Sequence, residues 1–247
     1  MIEFKKVVKS FGERTILKEV SFKIEEGKIL FILGTSGTGK SVLLKNLVGL
    51  LRPDKGEIWI DGEEVSRYSE EQYLEVRKKC GMVFQQPALF DSITVFENVA
   101  FGLRRLLGLS GKELTETVRK ALALVHASGI EGKFPSEISY GTQKRVSLAR
   151  TVALEPRILL FDEPTTGLDP VTTSAVNHLI QELSRKLKTT SIVVSHDMSC
   201  ALAIADKIIV LDKGEVIVQG TPAELKKSSV PLVQAFLSEV LSEEARA

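Results

Sequence analysis

The densest chemical signal in the chain is Gly34-Thr35-Ser36-Gly37-Thr38-Gly39-Lys40-Ser41. It fits G-x-x-x-x-G-K-[ST], the pattern of a loop that cradles phosphate. Closely spaced glycines let the backbone turn tightly and aim several N–H groups at one anion. A helix starting at the loop adds partial positive charge at the same point. Lys40 can then reach the outer phosphates of a nucleotide, and Ser41 can offer its hydroxyl to Mg²⁺. The flanking sequence fits. Lys28-Ile29-Leu30-Phe31-Ile32-Leu33 is an apolar run of strand length, and Leu43, Leu44, Leu47 and Val48 fall on one helical face.

Other apolar runs also end on polar groups. Gly81-Met82-Val83-Phe84 leads to Gln85, Ile158-Leu159-Leu160-Phe161 to Asp162 and Glu163, and Ser191-Ile192-Val193-Val194 to Ser195 and His196. In an open parallel sheet, ligands bind outside the carboxyl ends of the strands. If these ends are neighbours, they surround one nucleotide. Asp162 is then placed to hold Mg²⁺ through water. Glu163, one residue further out, can take a proton from an attacking water. His196 can bond the terminal phosphate or position the water. A lone Asp-Glu pair would read as solvated loop charge and a lone histidine as structural; the preceding strands and Pro164 favour chemistry. Phe11 alone reads as a core aromatic. His126 and His178 are placed on helices without partners and receive no role.

The elements that must position these groups alternate. Short strands run near Ile2, Phe4 and Val7 and through Val20, Phe22 and Ile24, with another at 56–62. A polar helix covers Glu70 to Lys79, and residues 86–93 form a loop. Thr94-Val95-Phe96-Glu97 fits a capping box opening a helix to about Leu107. Leu114, Val118, Leu122 and Val125 recur at helical spacing. A helix follows from Gly141 to Leu154. Asp169-Pro170 is an N-cap followed by proline at the first helical position, for a helix to about Leu187. Two strands at 207–211 and 215–219 precede a tail of short amphipathic helices from Pro222. The fold class is α/β: a phosphate-loop core with a mostly parallel sheet, N-terminal antiparallel strands and an inserted helical subdomain. One domain is expected, with its core in 1–85 and 141–220, a helical lobe over 86–140 and a helical tail over 221–247.

Composition excludes several classes. The 247 residues carry a net charge of +1, which gives no long-range attraction for nucleic acid. Three scattered histidines and two distant cysteines, Cys80 and Cys200, offer no transition-metal spacing. Both cysteines read as reduced and buried or half-buried in a cytosolic protein. No apolar run approaches the roughly 18 to 20 residues that span a bilayer, and Met1 to Lys6 opens no signal peptide. Any work at a membrane requires another chain to span it.

With these residues in place the chain resembles, over nearly its whole length, the nucleotide-binding subunits of ABC transporters. The resemblance implies ATP and Mg²⁺ as ligands and makes Phe11 the aromatic that stacks on adenine. It makes Gln85 the glutamine that senses both Mg²⁺ and the membrane subunit. Residues 34–41 become the phosphate loop, Asp169 in Gly167-Leu168-Asp169-Pro170 the D-loop, and His196 the H-loop. Ile138-Ser139-Tyr140-Gly141-Thr142 occupies the signature segment that is usually Leu-Ser-Gly-Gly-Gln. Tyr140 and Thr142 depart from it, while Ser139 and Gly141 keep the hydroxyl and the close-approach backbone. In the family this segment caps the γ-phosphate of ATP bound to the other protomer, so two ATP molecules are held between two head-to-tail subunits. The resemblance thus implies a homodimer, catalysis by Glu163, His196, Lys40 and Gln85, and metal contact by Ser41, Gln85 and Asp162. It places the protein in the cytoplasm, peripheral on the inner face of the cell membrane, with a permease helix docking near residues 86–100.

The finer resemblance is to ATPases of Mla/Mce-type lipid transporters, through Pro87-Ala88-Leu89-Phe90 and the tail Pro231-Leu232-Val233-Gln234-Ala235-Phe236-Leu237. It implies phospholipid or lipid transport and a possible Mce-domain partner. Polar amino-acid importers share much of the same stretch and stand as the alternative. A soluble ABC mechanoenzyme of translation would carry two such domains, and a DNA-repair ATPase would carry a long coiled-coil insertion. A non-catalytic nucleotide sensor would be expected to lack Glu163 or His196.

Overall fold

The computed structural model describes residues 1–244; positions 245–247, at the end of the tail expected over 221–247, lie outside the described residues. The chain opens with β1 (Ile2–Phe11) and β2 (Arg14–Ile24), an antiparallel pair whose alternating apolar residues turn one face inward. Phe4 lies opposite Phe22 in register, and their rings stack 4.5 Å apart. Then come β3 (Ile29–Leu33), α1 (Lys40–Leu47), β4 (Lys55–Ile60) and β5 (Glu63–Glu64), followed by α2 (Glu70–Lys79) and β6 (Cys80–Val83). Strand β4 pairs with β1, giving an antiparallel sheet of order β2-β1-β4-β5. The two-residue β5 carries no apolar alternation and escapes a reading by periodicity.

The helical stretch holds α3 (Val95–Leu107), α4 (Gly111–Leu124) and, after a 3₁₀ turn at Pro135–Glu137, α5 (Tyr140–Val152). Leu114, Val118, Leu122 and Val125 are all buried, as their spacing requires. Only half of the expected capping box exists. Thr94 caps the Glu97 N–H at 3.3 Å, but the Glu97 carboxylate turns outward to pair with Arg104. His126 does not lie on a helix: it sits past the end of α4 with φ +54°, and its Nε2 is 3.5 Å from Glu182.

The remainder supplies β7 (Ile158–Asp162), α6 (Pro170–Lys186), β8 (Thr190–Ser195), α7 (Met198–Ile204), β9 (Lys207–Asp212) and β10 (Glu215–Gly220). The tail is a single turn, α8 (Pro222–Leu225), and one longer helix, α9 (Pro231–Glu244). The second sheet has order β10-β9-β3-β8-β7-β6, parallel except for the β10 edge. Strand β3 is buried along its whole length, which is why it reads as a continuous apolar run. Its alternation divides two cores. Ile29, Phe31 and Leu33 pack with the helices of one side; Leu30 and Ile32 pack with α1 and the antiparallel sheet on the other.

Asp206 ties this centre together, accepting the Ile29 N–H at 2.8 Å and the Arg185 guanidinium at 2.9 Å. Burial pushes its carboxyl up, but those hydrogen bonds and the charges of Arg185 and Lys28 outweigh burial and hold it below the usual 3.8. Both cysteines are free thiols, Cys200 buried and Cys80 half-buried. Burial pushes the Cys80 thiol up to about 12.

Candidate active site

Strands β3, β8, β7 and β6 stand side by side and parallel, so the polar groups that follow them emerge along one edge. Leu33 pairs with Ser195, Asp162 with Val194, and Val83 with Phe161. The carboxyl ends read from the sequence are therefore neighbours.

The phosphate loop departs from the end of β3 and enters α1. Gly39 is the residue before the helix, at φ +104°, and an added Cβ would come within 2.7 Å of the Leu17 side chain. Gly34 has no room either, since its Cβ would meet the Leu211 carbonyl oxygen at 2.5 Å. Gly39 requires glycine for conformation and for space, Gly34 for space alone. Thr38 Oγ1 donates to the Thr35 carbonyl at 2.9 Å and braces the loop. Lys40 is 6% exposed; its ammonium donates to the carbonyls of Gly34 at 2.6 Å and Thr35 at 3.0 Å, and lies 3.4 Å from Glu163 Oε1. Ser41 Oγ donates to Asp162 Oδ1 at 2.8 Å, which brings the hydroxyl and carboxylate expected to share a metal together.

Glu163 stands at φ +49°, a left-handed conformation that costs a residue with a Cβ on the order of 1 kcal/mol. Its N–H bonds the Val194 carbonyl at 2.9 Å, which fixes the residue to the neighbouring strand. The carboxylate is held from three sides: Lys40, His196 Nδ1 at 2.9 Å, and Thr166 Oγ1 at 3.3 Å. This is a strained, oriented acceptor at the mouth of a cleft of about 790 Å³.

The cleft is lined by the loop residues Thr35, Ser36, Gly37, Gly39, Lys40 and Ser41, and by Gln85, Glu163 and His196. Gly34, Thr38 and Asp162 lie behind that lining rather than on it. Phe11 sits at the rim and is 49% exposed, so the core reading of this aromatic is wrong. Sequence reasoning did not find Arg14, Ile16, Thr166, Phe236 and Glu239, which also line the cleft. The first two follow the β1–β2 turn beside Phe11; Phe236 and Glu239 come from α9 and had no local signal.

The donor set fits a hard cation bound together with phosphate. Ser41, Asp162 and Gln85 offer only oxygen ligands, as Mg²⁺ prefers. No cluster of three or more His, Cys, Asp or Glu able to hold a metal occurs among the described residues, so water and phosphate oxygens would complete the cation's shell.

The remaining expected residues collect elsewhere. Ser139, Gly141 and Thr142 share a second cleft, of about 340 Å³, with Asp169, and no residue lines both clefts. Ser139 Oγ caps α5 through the Thr142 N–H at 3.2 Å and lies 2.9 Å from Thr142 Oγ1. Asp169 caps α6 through the Thr172 N–H at 3.0 Å. The Thr172 hydroxyl and then its N–H hold the Asp169 carboxyl below its ordinary range. A Cβ at Gly141 would come within 2.9 Å of Thr172 Cγ2, so this helix start and the Asp169 turn are close-packed. A helix N-terminus with a small residue suits an anion, but the chain's own phosphate cleft lies apart from it.

Comparison with known proteins agrees. The family described as ABC transporter matches residues 17–166. The chain is 40% identical to the intermembrane phospholipid transport system ATP-binding protein MlaF of Haemophilus influenzae, covering 96% of this chain and 90% of that one. It is also 40% identical to a probable ribonucleotide transport ATP-binding protein, Mkl, of Mycobacterium leprae, covering 96% of this chain and 68% of that one. The ATP-binding cassette MJ0796, solved as a dimer in a post-hydrolysis state with ADP and Pi, superposes with a TM-score of 0.81 at 33% identity, covering 90% of this chain and 99% of that one. The chain belongs to the ABC transporter family, as an ATP-binding, ATP-hydrolysing subunit.

Proposed function

We propose that two copies of this chain close head-to-tail on two ATP molecules and drive a membrane permease that moves phospholipid or a related lipid. The carrying observation is the separation of the two clefts: phosphate loop, Glu163 and His196 in one, Ser139, Gly141 and Asp169 in the other. One chain then holds half of each site, and the second copy supplies the missing half. Residues 1–85 and 141–220 form the core, 86–140 a helical lobe and 221–247 a tail.

In the closed site, loop N–H groups and Lys40 hold the β- and γ-phosphates, and Phe11 stacks on adenine. Ser41, Asp162 and Gln85 would hold Mg²⁺, which when bound draws charge from the phosphate oxygens. Glu163 accepts a proton from water as its oxygen attacks the γ-phosphorus and the bond to the ADP oxygen breaks. His196 orients Glu163 through the 2.9 Å contact and faces the terminal phosphate. Closing on ATP and opening after hydrolysis is a population shift driven by ligand.

The lipid class draws support from the relative named for intermembrane phospholipid transport. Among the described residues no helix is long and apolar enough to cross a membrane. In this reading the permease spans the bilayer and this chain works on its cytoplasmic face. Phe90 and Phe101, rings 5.1 Å apart and each about half exposed, offer an apolar docking surface beside residues 86–100. A photo-crosslinker at position 90 in cells tests this reading. Capture of a permease that co-purifies with an Mce-domain protein is the expected result; capture of an amino-acid permease without one overturns the lipid assignment.

A further inference from the structure

The signature segment and the Gln85 loop are joined inside one chain. Three side chains of α5 reach the backbone or side chains of four consecutive residues, 85–88. The Tyr140 hydroxyl donates to Gln86 Oε1 at 3.3 Å, and the Lys144 ammonium donates to the Gln85 carbonyl. Arg150 donates to the Ala88 carbonyl at 2.7 Å and the Pro87 carbonyl at 3.3 Å. Ala88 is itself at φ +48°, a conformation that its surroundings must hold in place.

Lys144 explains the aromatic at 140. The lysine is 3% exposed, and a buried ammonium needs partners to replace water. It finds the Gln85 carbonyl on one side and the Tyr140 ring on the other, 5.5 Å from the ring centroid. Residues 140 and 144 are one helical turn apart, so one face of α5 carries both. A glycine at 140 would remove the ring from Lys144 and the donor from Gln86 together.

We propose that Tyr140 is a positioning residue which, with Lys144 and with Arg150 at the far end of the helix, clamps residues 85–88 along α5. Ser139 and Gly141 then move with Gln85 as one unit, so engagement of the partner's nucleotide at α5 re-aims the Gln85 loop of the same chain. This rests on the head-to-tail reading above.

The test has two arms. In the first, amide hydrogen exchange is measured on the purified chain for Tyr140→Phe and Lys144→Met. The loop over 84–90 should exchange about five- to tenfold faster in both, with peptides over 34–41 unchanged, and Lys144→Arg should restore protection. In the second, Tyr140→Phe and Gln86→Ala are combined in a Glu163→Gln background, reading the ATP concentration at half-dimerisation. Each should raise it about fivefold, and the pair no further than either alone. Unchanged loop exchange in Tyr140→Phe, or effects that multiply, overturns the clamp. If Lys144→Met fails to fold, the conservative Tyr140→Phe still decides. If Glu163→Gln never dimerises on ATP, the head-to-tail reading fails, while the exchange arm still judges the clamp.

Discussion

Replacing Glu163 with glutamine separates its two jobs, as a charge and as a proton acceptor. The amide keeps an oxygen for Thr166 and the same backbone at φ +49°, so the strand-end geometry is retained. What goes is the ion pair with Lys40 at 3.4 Å and the capacity to take a proton from water. Lys40 keeps two carbonyl partners, Gly34 and Thr35, so losing the pair should cost about 1 kcal/mol of stability. In a chain of this size that lowers the melting temperature by roughly 2–4 °C, too little to unfold the protein at assay temperature. Loss of the general base costs on the order of 10²–10⁴ in rate, about 2.7–5.4 kcal/mol of barrier. Turnover should therefore collapse in a folded, nucleotide-binding protein that accumulates ATP-bound dimers. The assay is phosphate release by the chain assembled with its membrane partners, with dimer formation followed by size-exclusion chromatography. ATPase within a few fold of the parent refutes the assignment of Glu163.

Lys40→Ala removes the buried ammonium that faces the cleft. In the proposed site its contacts to phosphate would be charge-assisted hydrogen bonds, so ATP affinity should fall about 10- to 100-fold in a fluorescence titration, and unchanged affinity contradicts the phosphate-loop reading. Asp206 gives a pH dependence. Its folded pKa is below the unfolded value of 3.8, so its stabilisation is fully present above that value and is lost as pH falls through the folded pKa. Asp206→Asn should lower the stability read from urea unfolding at pH 7 by about 1 kcal/mol, and the gap should narrow as pH falls below 3.8; a gap that stays constant on acidification contradicts this.

The strand ends were legible because a parallel strand buried on both faces leaves an unbroken apolar run, and the residue after it must leave the sheet. Asp162, Glu163 and His196 could thus be located without knowing the strand order; Gln85 was less secure, because β6 is a half-buried edge strand that ends at Val83 and Phe84 is exposed rather than buried. The order itself was not legible: β3 pairs with β8 and β9, more than 150 residues away in sequence, and nothing local encodes that. Phe11 misleads for a related reason, since hydrophobicity predicts burial and an aromatic left exposed beside a cleft looks the same in sequence as a core residue. Phe236 shows the converse. It belongs to the buried core and also lines the phosphate-loop cleft, a double position that helical spacing cannot reveal. Thr94 shows how a short motif can be half right. Its hydroxyl cap forms, but Arg104 competes for the Glu97 carboxylate and wins it from the backbone.

The account stands on completion of each site by a second copy. A crystal structure of the Glu163→Gln chain with Mg·ATP tests this most directly. It should show each nucleotide gripped by residues 34–41 of one protomer and by Ser139 and Gly141 of its partner. A nucleotide whose γ-phosphate is contacted by one chain alone, with residues 139–142 of every copy facing solvent, would contradict it.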